Sequence, residues 1–188
     1  MGRVVFLLEE PSMEAFLLEY LPRLVPGWEH RRDFLLIKHQ GKSDLDRSIN
    51  TKLREWREPG VRFVIVRDTD GADCLALKET LRGRCDGLGR ETLIRLICQE
   101  LEAWYLGDSA ALQATYPKVG KAIVSLAKRH PDPDACRKPS RELERLIPEF
   151  QKRDAARRLG RVLDYRNNRS ASLRVFSQGV ERLARQKD

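Results

Sequence analysis

The chain has 188 residues, with 36 Lys+Arg against 28 Asp+Glu and a formal charge of +8. That length suits one ordinary domain, and 41% apolar with 34% charged residues describes a real core under a solvated surface, which excludes long disorder. The longest apolar run near the N-terminus, Val4 to Leu8, stops at Glu9 and Glu10, too short for a membrane span or signal-peptide core, so the expectation is a cytoplasmic protein.

Val4 to Leu8 is continuously apolar and rich in β-branched residues, the pattern of a strand buried on both faces. Pro11 and Ser12 break it, and Phe16, Leu17, Tyr20, Leu21, Leu24 and Val25 follow at helical spacing. The pattern repeats: a strand over Phe34 to Lys38, a turn at Gly41, and a helix from Asp44 to Arg57 stopped by Pro59 and Gly60. Phe63 to Val66 is a third strand and Leu75 to Leu81 a short helix. Leu93 to Cys98 is a fourth strand, running into a helix that contains Glu100, Glu102 and Trp104. Strands alternating with helices predict an α/β fold with a mostly parallel four-stranded sheet over residues 1–108.

From Asp108 onward strand signals vanish. Residues 109–188 predict a basic helical region packed on the core, with helices around Ala110, Val119 to Lys128, Ser140 to Leu146, Glu149 to Leu163 and Ser172 to Ala184. Residues 1–136 hold 21 basic and 21 acidic side chains, whereas 137–188 hold 15 and 7, so the whole surplus lies here. Arg153, Arg157, Arg158 and Arg161 fall at helical spacing and would make one basic face next to Lys152. A charge run is commonly a solvated face; as a binding surface it would hold phosphates without regard to sequence.

In open parallel sheets function gathers at the carboxyl ends of strands, and three of the four predicted strands end in acids: Glu9 and Glu10, then Asp68 and Asp70, then Glu100 and Glu102. Residues two apart on extended backbone point the same way, so Asp68 and Asp70 can face one ion. A few hard oxygen ligands suit Mg²⁺ or Mn²⁺. Other motifs fail. Gly41-Lys42-Ser43 lacks the earlier glycine of a P-loop, Leu36 standing there, and the calcium-loop pattern begun at Asp68 has Asp73 where its turn glycine belongs. The four cysteines contain no C-x-x-C pair, so zinc spacing is absent and buried reduced thiols are expected. The Asp68-Thr69-Asp70-Gly71 stretch also resembles the first motif of haloacid dehalogenase phosphatases, but the later acidic motif is interrupted by Leu112.

Several blocks together, Glu9-Glu10-Pro11-Ser12-Met13-Glu14-Ala15-Phe16-Leu17, Arg67 to Cys74, Glu100 to Asp108, Lys138-Pro139-Ser140 and Asn168 to Ser172, resemble the Toprim-like bacterial domain of unknown function family 4276. That family is related to the Toprim domains of overcoming-lysogenization-defect nucleases. The resemblance implies a Toprim-like Rossmannoid core and Mg²⁺-dependent (or Mn²⁺-dependent) phosphodiester chemistry. Glu9 would be general acid or base, and Asp68 and Asp70 metal ligands, with Glu100, Glu102 and Asp73 as further metal or supporting acids. Lys138, Lys152, Arg153, Arg157, Arg158, Arg161 and Arg169 would contact nucleic acid. It also implies an ABC- or AAA-type ATPase partner encoded nearby, in phage defence. Many Toprim-like members read Glu-Gly-x-Thr-Glu; here Glu10 and Met13 stand at the glycine and second glutamate, and Glu14 is a candidate replacement. A non-catalytic subunit binding an ATPase or nucleic acid, and a metal-dependent phosphatase, are the alternatives.

Overall fold

The computed structural model describes residues 2–186. β1 (Val4–Leu8) is buried throughout, with Val4, Phe6 and Leu8 in one apolar core and Val5 and Leu7 in the other, as period-two alternation in a strand covered on both faces requires. Pro11 occupies the first position of α1 (Pro11–Leu24), where the missing N–H is harmless. β2 (Phe34–Lys38), α2 (Lys42–Glu55), β3 (Arg62–Asp68), α3 (Cys74–Cys85) and β4 (Thr92–Ile97) continue the alternation.

The four strands are parallel in the order β2-β1-β3-β4, with Leu8 opposite Lys38 on one side and Val66 on the other. The chain leaves β1 toward one edge and then crosses back to build the other. The crevice between the ends of β1 and β3 is therefore the point of topological reversal, where open α/β sheets bind ligands. α2 and α3 contribute to the core on one face of the sheet, and α1 to the larger core on the other.

After β4 come α4 (Glu102–Leu106), α5 (Ser109–Thr115), α6 (Gly120–Arg129), α7 (Pro139–Leu146), α8 (Lys152–Gly160) and α9 (Ala171–Arg185). α8 lies against α1 through small residues: Ala155, Ala156 and Gly160 are buried, and a Cβ at Gly160 would sit 2.6 Å from the Phe16 carbonyl oxygen. Arg23 Nη1 donates to the carbonyls of Gly160 (2.8 Å) and Leu163 (3.0 Å), satisfying the end of α8. α9 covers the same face, its Phe176 ring 5.1 Å from Trp104 and 6.5 Å from Phe6. One apolar cluster thus runs from Val4 to Leu183 and ties the helical region to the sheet.

Element ends differ where turns intervene. The helix expected from Glu149 starts at Lys152, because Pro148 lies in a turn closed by Phe150 N donating to Ile147 O (3.0 Å). The helix expected at Leu75 starts one residue earlier, capped by Asp73. Among the described residues no helix is long and apolar enough to cross a membrane.

Candidate active site at the strand ends

Backbone pairing continues past the sheet and fixes the acids. His39 N donates to Leu8 O and Gly41 N to Glu9 O, both at 2.9 Å, so Glu9 leaves β1 held against the chain after β2. On the other side Thr69 N donates to Ile97 O (3.0 Å), Gln99 N to Thr69 Oγ1 (2.7 Å) and Asp70 N to Gln99 O (3.0 Å). Asp70 (φ 49°) and Gln99 (φ 65°) both adopt left-handed backbone, next to Gly71 (φ 83°). Such conformations cost a non-glycine residue on the order of 1 kcal/mol and are concentrated at functional sites.

Glu9 accepts from the Asp68 backbone N–H at 3.1 Å, and Arg67 Nε stands 4.0 Å away. Burial raises its pKa to about 7; Asp70 and Glu10 push the same way, against the Asp68 N–H and Arg67. Asp68 is 7% exposed, and its Oδ1 is buried with no hydrogen-bond partner. Burial first, then the charges of Glu10, Glu9, Glu102 and Asp70, hold its pKa well above the carboxylate range. Glu102, at the start of α4, is 1% exposed, and neither carboxylate oxygen accepts a hydrogen bond from another of the described residues. Lys152 Nζ, from α8, lies 3.6 Å from Glu102 Oε1. Burial raises Glu102 to about 7 even so, with Lys152 and the backbone N–H of Glu102 itself opposing and Glu10 and Glu100 adding to the rise. Burial pulls the Lys152 ammonium down, but Glu102, Glu10, Glu100 and Asp68 together leave its pKa raised. The buried Tyr105 hydroxyl, also without a partner, feels Glu102, Glu10 and Asp68.

Glu10 is the common neighbour in this set. Its charge acts on Asp68, Glu102, Tyr105 and Lys152, and its Oε1 accepts from Ser12 Oγ. The position that the Toprim-like pattern gives to glycine therefore carries a carboxylate into the cluster. Glu14 lies elsewhere, paired to Lys38 Nζ at 2.7 Å, and Met13 is buried in the core.

The donors are all hard oxygens, and buried carboxylates that repel one another without hydrogen bonds are stabilised by a cation. A divalent ion held by one or two of Asp68, Glu102 and Glu10 would relieve that repulsion. Among the described residues, no three His, Cys, Asp or Glu side chains already converge on one point, and Mg²⁺ typically takes one or two carboxylates and completes its shell with water and phosphate. Beside the acids a cleft of about 420 Å³ is lined by Asp70, Gly71, Gln99, Arg137 and Lys138. Lys42 Nζ lies 3.5 Å from Asp70 Oδ2, so that side is basic.

A family model described as Domain of unknown function (DUF4276) matches residues 8–184. The chain belongs to that family. Among solved structures, the chain is similar to the C-terminal region of the Xanthomonas campestris pv. campestris OLD protein, with a TM-score of 0.53 and 13% identity over 97% of this chain and 96% of that one. This likeness is one of fold. No curated protein matches.

Within this DUF4276 chain the remaining sequence-derived candidates take other places. Glu100 accepts from Lys138 Nζ (3.1 Å) and from Ser140 N (3.0 Å) at the start of α7. Burial raises its pKa, but the Ser140 bonds and Lys138 outweigh that and leave it lowered. Asp73 accepts from Ala76 N at 2.7 Å as the cap of α3. Of the basic residues, Arg161 pairs with Glu19 at 2.9 Å. Arg158 lies over the Tyr116 ring at 4.5 Å and donates to Thr115 O. Arg169 donates to the carbonyls of Leu106, Ala127, His130 and Pro131. Arg153 and Arg157 are exposed and make no ion pair among the described residues.

Proposed function

We propose that this chain is a Mg²⁺- or Mn²⁺-dependent hydrolase of nucleic-acid phosphodiesters. The observation that carries it is the set of buried Asp68 and Glu102 oxygens without partners, at the topological switch point and against a basic cleft. Asp68 and Glu102 would be the metal's carboxylates, with the charge of Glu10 beside them and Asp70 at the mouth of the cleft. A bound divalent ion supplies charge neutralisation at a phosphate and lowers the pKa of water.

The chain's own groups do the rest. A pKa near 7 lets Glu9 exist in both protonation states at neutral pH, the condition for taking a proton from a nucleophile or giving one to a leaving group. Lys152 balances part of the negative charge beneath the cluster and keeps Glu102 available as a carboxylate. Lys42, Arg137 and Lys138 would receive phosphates on the far side of Asp70, and Arg153 with Arg157 would extend that contact along α8. The resemblance to Toprim nucleases supports the same reaction and an ATPase partner in phage defence.

The test compares wild type with Asp68→Asn on plasmid, single-stranded DNA and RNA, with Mg²⁺, with Mn²⁺ and with chelator, alone and with any ATPase encoded beside it. Metal-dependent cleavage lost in Asp68→Asn supports the proposal; no cleavage of any substrate under any condition overturns it. The specific observation favouring a non-catalytic partner subunit is that Glu100 and Asp73 are committed to helix starts and no three acids converge. That alternative requires a stable complex whose formation is indifferent to Asp68→Asn and to chelator.

A further inference from the structure

Outside the acid cluster, two thiols sit against the same loop. Cys74 is the first residue of α3 and is exposed, whereas Cys98 follows β4 and is partly buried. Both line a largely apolar cleft of about 300 Å³ with Leu75, Ile94, Leu96 and Val175. Leu75 is 80% exposed, so solvent reaches this edge. The Cys98 thiol neighbours Cys74 and Ser172, and burial first, then the charges of Asp134 and Cys74, push its pKa up to about 12, so it stays a protonated thiol until a neighbouring sulfur is oxidised. Its backbone is fixed on both sides: Ile97 O accepts from Thr69 N, and Gln99 N donates to Thr69 Oγ1. Cys85 and Cys136 line no part of this cleft.

We propose that Cys74 and Cys98 form a reversible disulfide, a peroxide-sensitive modification site that ties the start of α3 to the end of β4. The Cys74 thiolate attacks one oxygen of a hydroperoxide. The O–O bond breaks, hydroxide leaves and is protonated to water, and Cys74 becomes a sulfenic acid. Cys98 then attacks the Cys74 sulfur. The S–S bond forms as the S–O bond breaks, and the departing hydroxide takes the Cys98 proton as a second water. Two thiols are oxidised by two electrons in all, and one peroxide is reduced to two waters. Exposure assigns the order, since Cys74 meets the oxidant and Cys98 resolves it. The bridge would hold the loop from Asp68 to Asp73 at two places, at the Asp70 N to Gln99 O hydrogen bond and at the new S–S bond.

The experiment needs neither metal nor substrate, so its outcome is independent of the hydrolase proposal. Reduced full-length chain is treated with stoichiometric hydrogen peroxide, its remaining thiols are alkylated, and non-reducing peptide mass mapping reads the products. The expected result is one intramolecular Cys74–Cys98 link reversed by dithiothreitol, with Cys85 and Cys136 alkylated. The Cys85→Ser variant should form it in full, and Cys98→Ser should instead leave a Cys74 sulfenic acid trapped by dimedone. A link through Cys85 or Cys136, an intermolecular link, or sulfinic acid at Cys74 with Cys98 alkylated would overturn the proposal.

Discussion

Lys152 Nζ lies 3.6 Å from Glu102 Oε1, and among the described residues no other side chain donates to either oxygen of that buried carboxylate. The ammonium, carried by α8, thus offsets the charge of an acid at the start of α4. Removing one partner of such a pair strands the other. Lys152→Met should lower stability at pH 8 by about 2 kcal/mol, less than the full penalty for a buried pair because the Lys152 side chain is 43% exposed. At pH 5 the loss should shrink, since Glu102 can then take up a proton. Adding Glu102→Gln should recover most of the loss at pH 8. Denaturant melts of wild type, Lys152→Met, Glu102→Gln and the double variant at both pH values decide it, and an equal loss at pH 5 and pH 8 would mean that packing, not charge, is what Lys152 supplies.

The acid cluster should also give metal-free protein an unusual stability profile. Glu9 and Glu102 titrate near 7 in the folded chain against 4.5 when unfolded, and Asp68 is raised as well. Between those values the folded state binds more protons than the unfolded state, so stability is full below pH 4.5 and falls as pH rises through 7. The melting temperature without metal should drop from pH 5 to pH 8, by an amount equivalent to roughly 3 kcal/mol if Glu102 alone is counted. Saturating Mg²⁺ should restore stability at pH 8, and Asp68→Asn should remove only the Asp68 share of the fall, leaving that of the buried Glu9 and Glu102, and abolish the Mg²⁺ response. Scanning calorimetry across pH, with and without metal, measures it; a flat metal-free profile would show that the cluster carries no strain.

Much of the core was readable because its signals are local. The five-residue apolar run of β1, the helical spacing after Pro11 and the acids at strand ends all follow from side-chain periodicity within a few residues. What escaped the sequence depends on three-dimensional neighbours. Glu10 looked like half of a charged pair closing β1, yet its charge reaches Asp68, Glu102 and Lys152, contributed by three other elements. The helical face of basic residues on α8 was visible as spacing. Which of them had partners was not: Arg161 and Arg158 turn back to Glu19 and Tyr116, and Lys152 to Glu102. Glu100 and Glu102 are two residues apart in similar composition, and only the N-terminus of α7 separates their roles.

That separation is itself testable. Glu100 is held low by Ser140 and Lys138 against its burial, so its contribution to stability is present at neutral pH and is lost as pH falls below the ordinary glutamate value through the lowered one. Glu100→Ala should destabilise the chain by about 1–2 kcal/mol at pH 7 through the loss of a charged helix cap, with a smaller effect near pH 3. Its Mn²⁺ affinity by calorimetric titration should stay within a few-fold of wild type, whereas Glu102→Gln should abolish binding. Equal loss of Mn²⁺ affinity in both variants would place Glu100 among the ligands.

The basic residues divide in the same way. Arg153 and Arg157 are exposed on α8, so each is available to a phosphate. Arg153→Ala and Arg157→Ala should leave the melting temperature within about 1 °C, and each should reduce the slope of log affinity against log salt by roughly 0.7–0.9, the increment for one released counterion. Arg169 donates to four backbone carbonyls that close α6 and α4. Removing it leaves those acceptors unsatisfied, so Arg169→Ala should cost at least about 2 kcal/mol of stability. Fluorescence anisotropy with labelled duplex and single-stranded oligonucleotides in the Asp68→Asn background, paired with melts, reads both effects. An unchanged salt slope in the Arg153→Ala, Arg157→Ala double variant would remove α8 from the binding surface and leave Lys42, Arg137 and Lys138 as its cations.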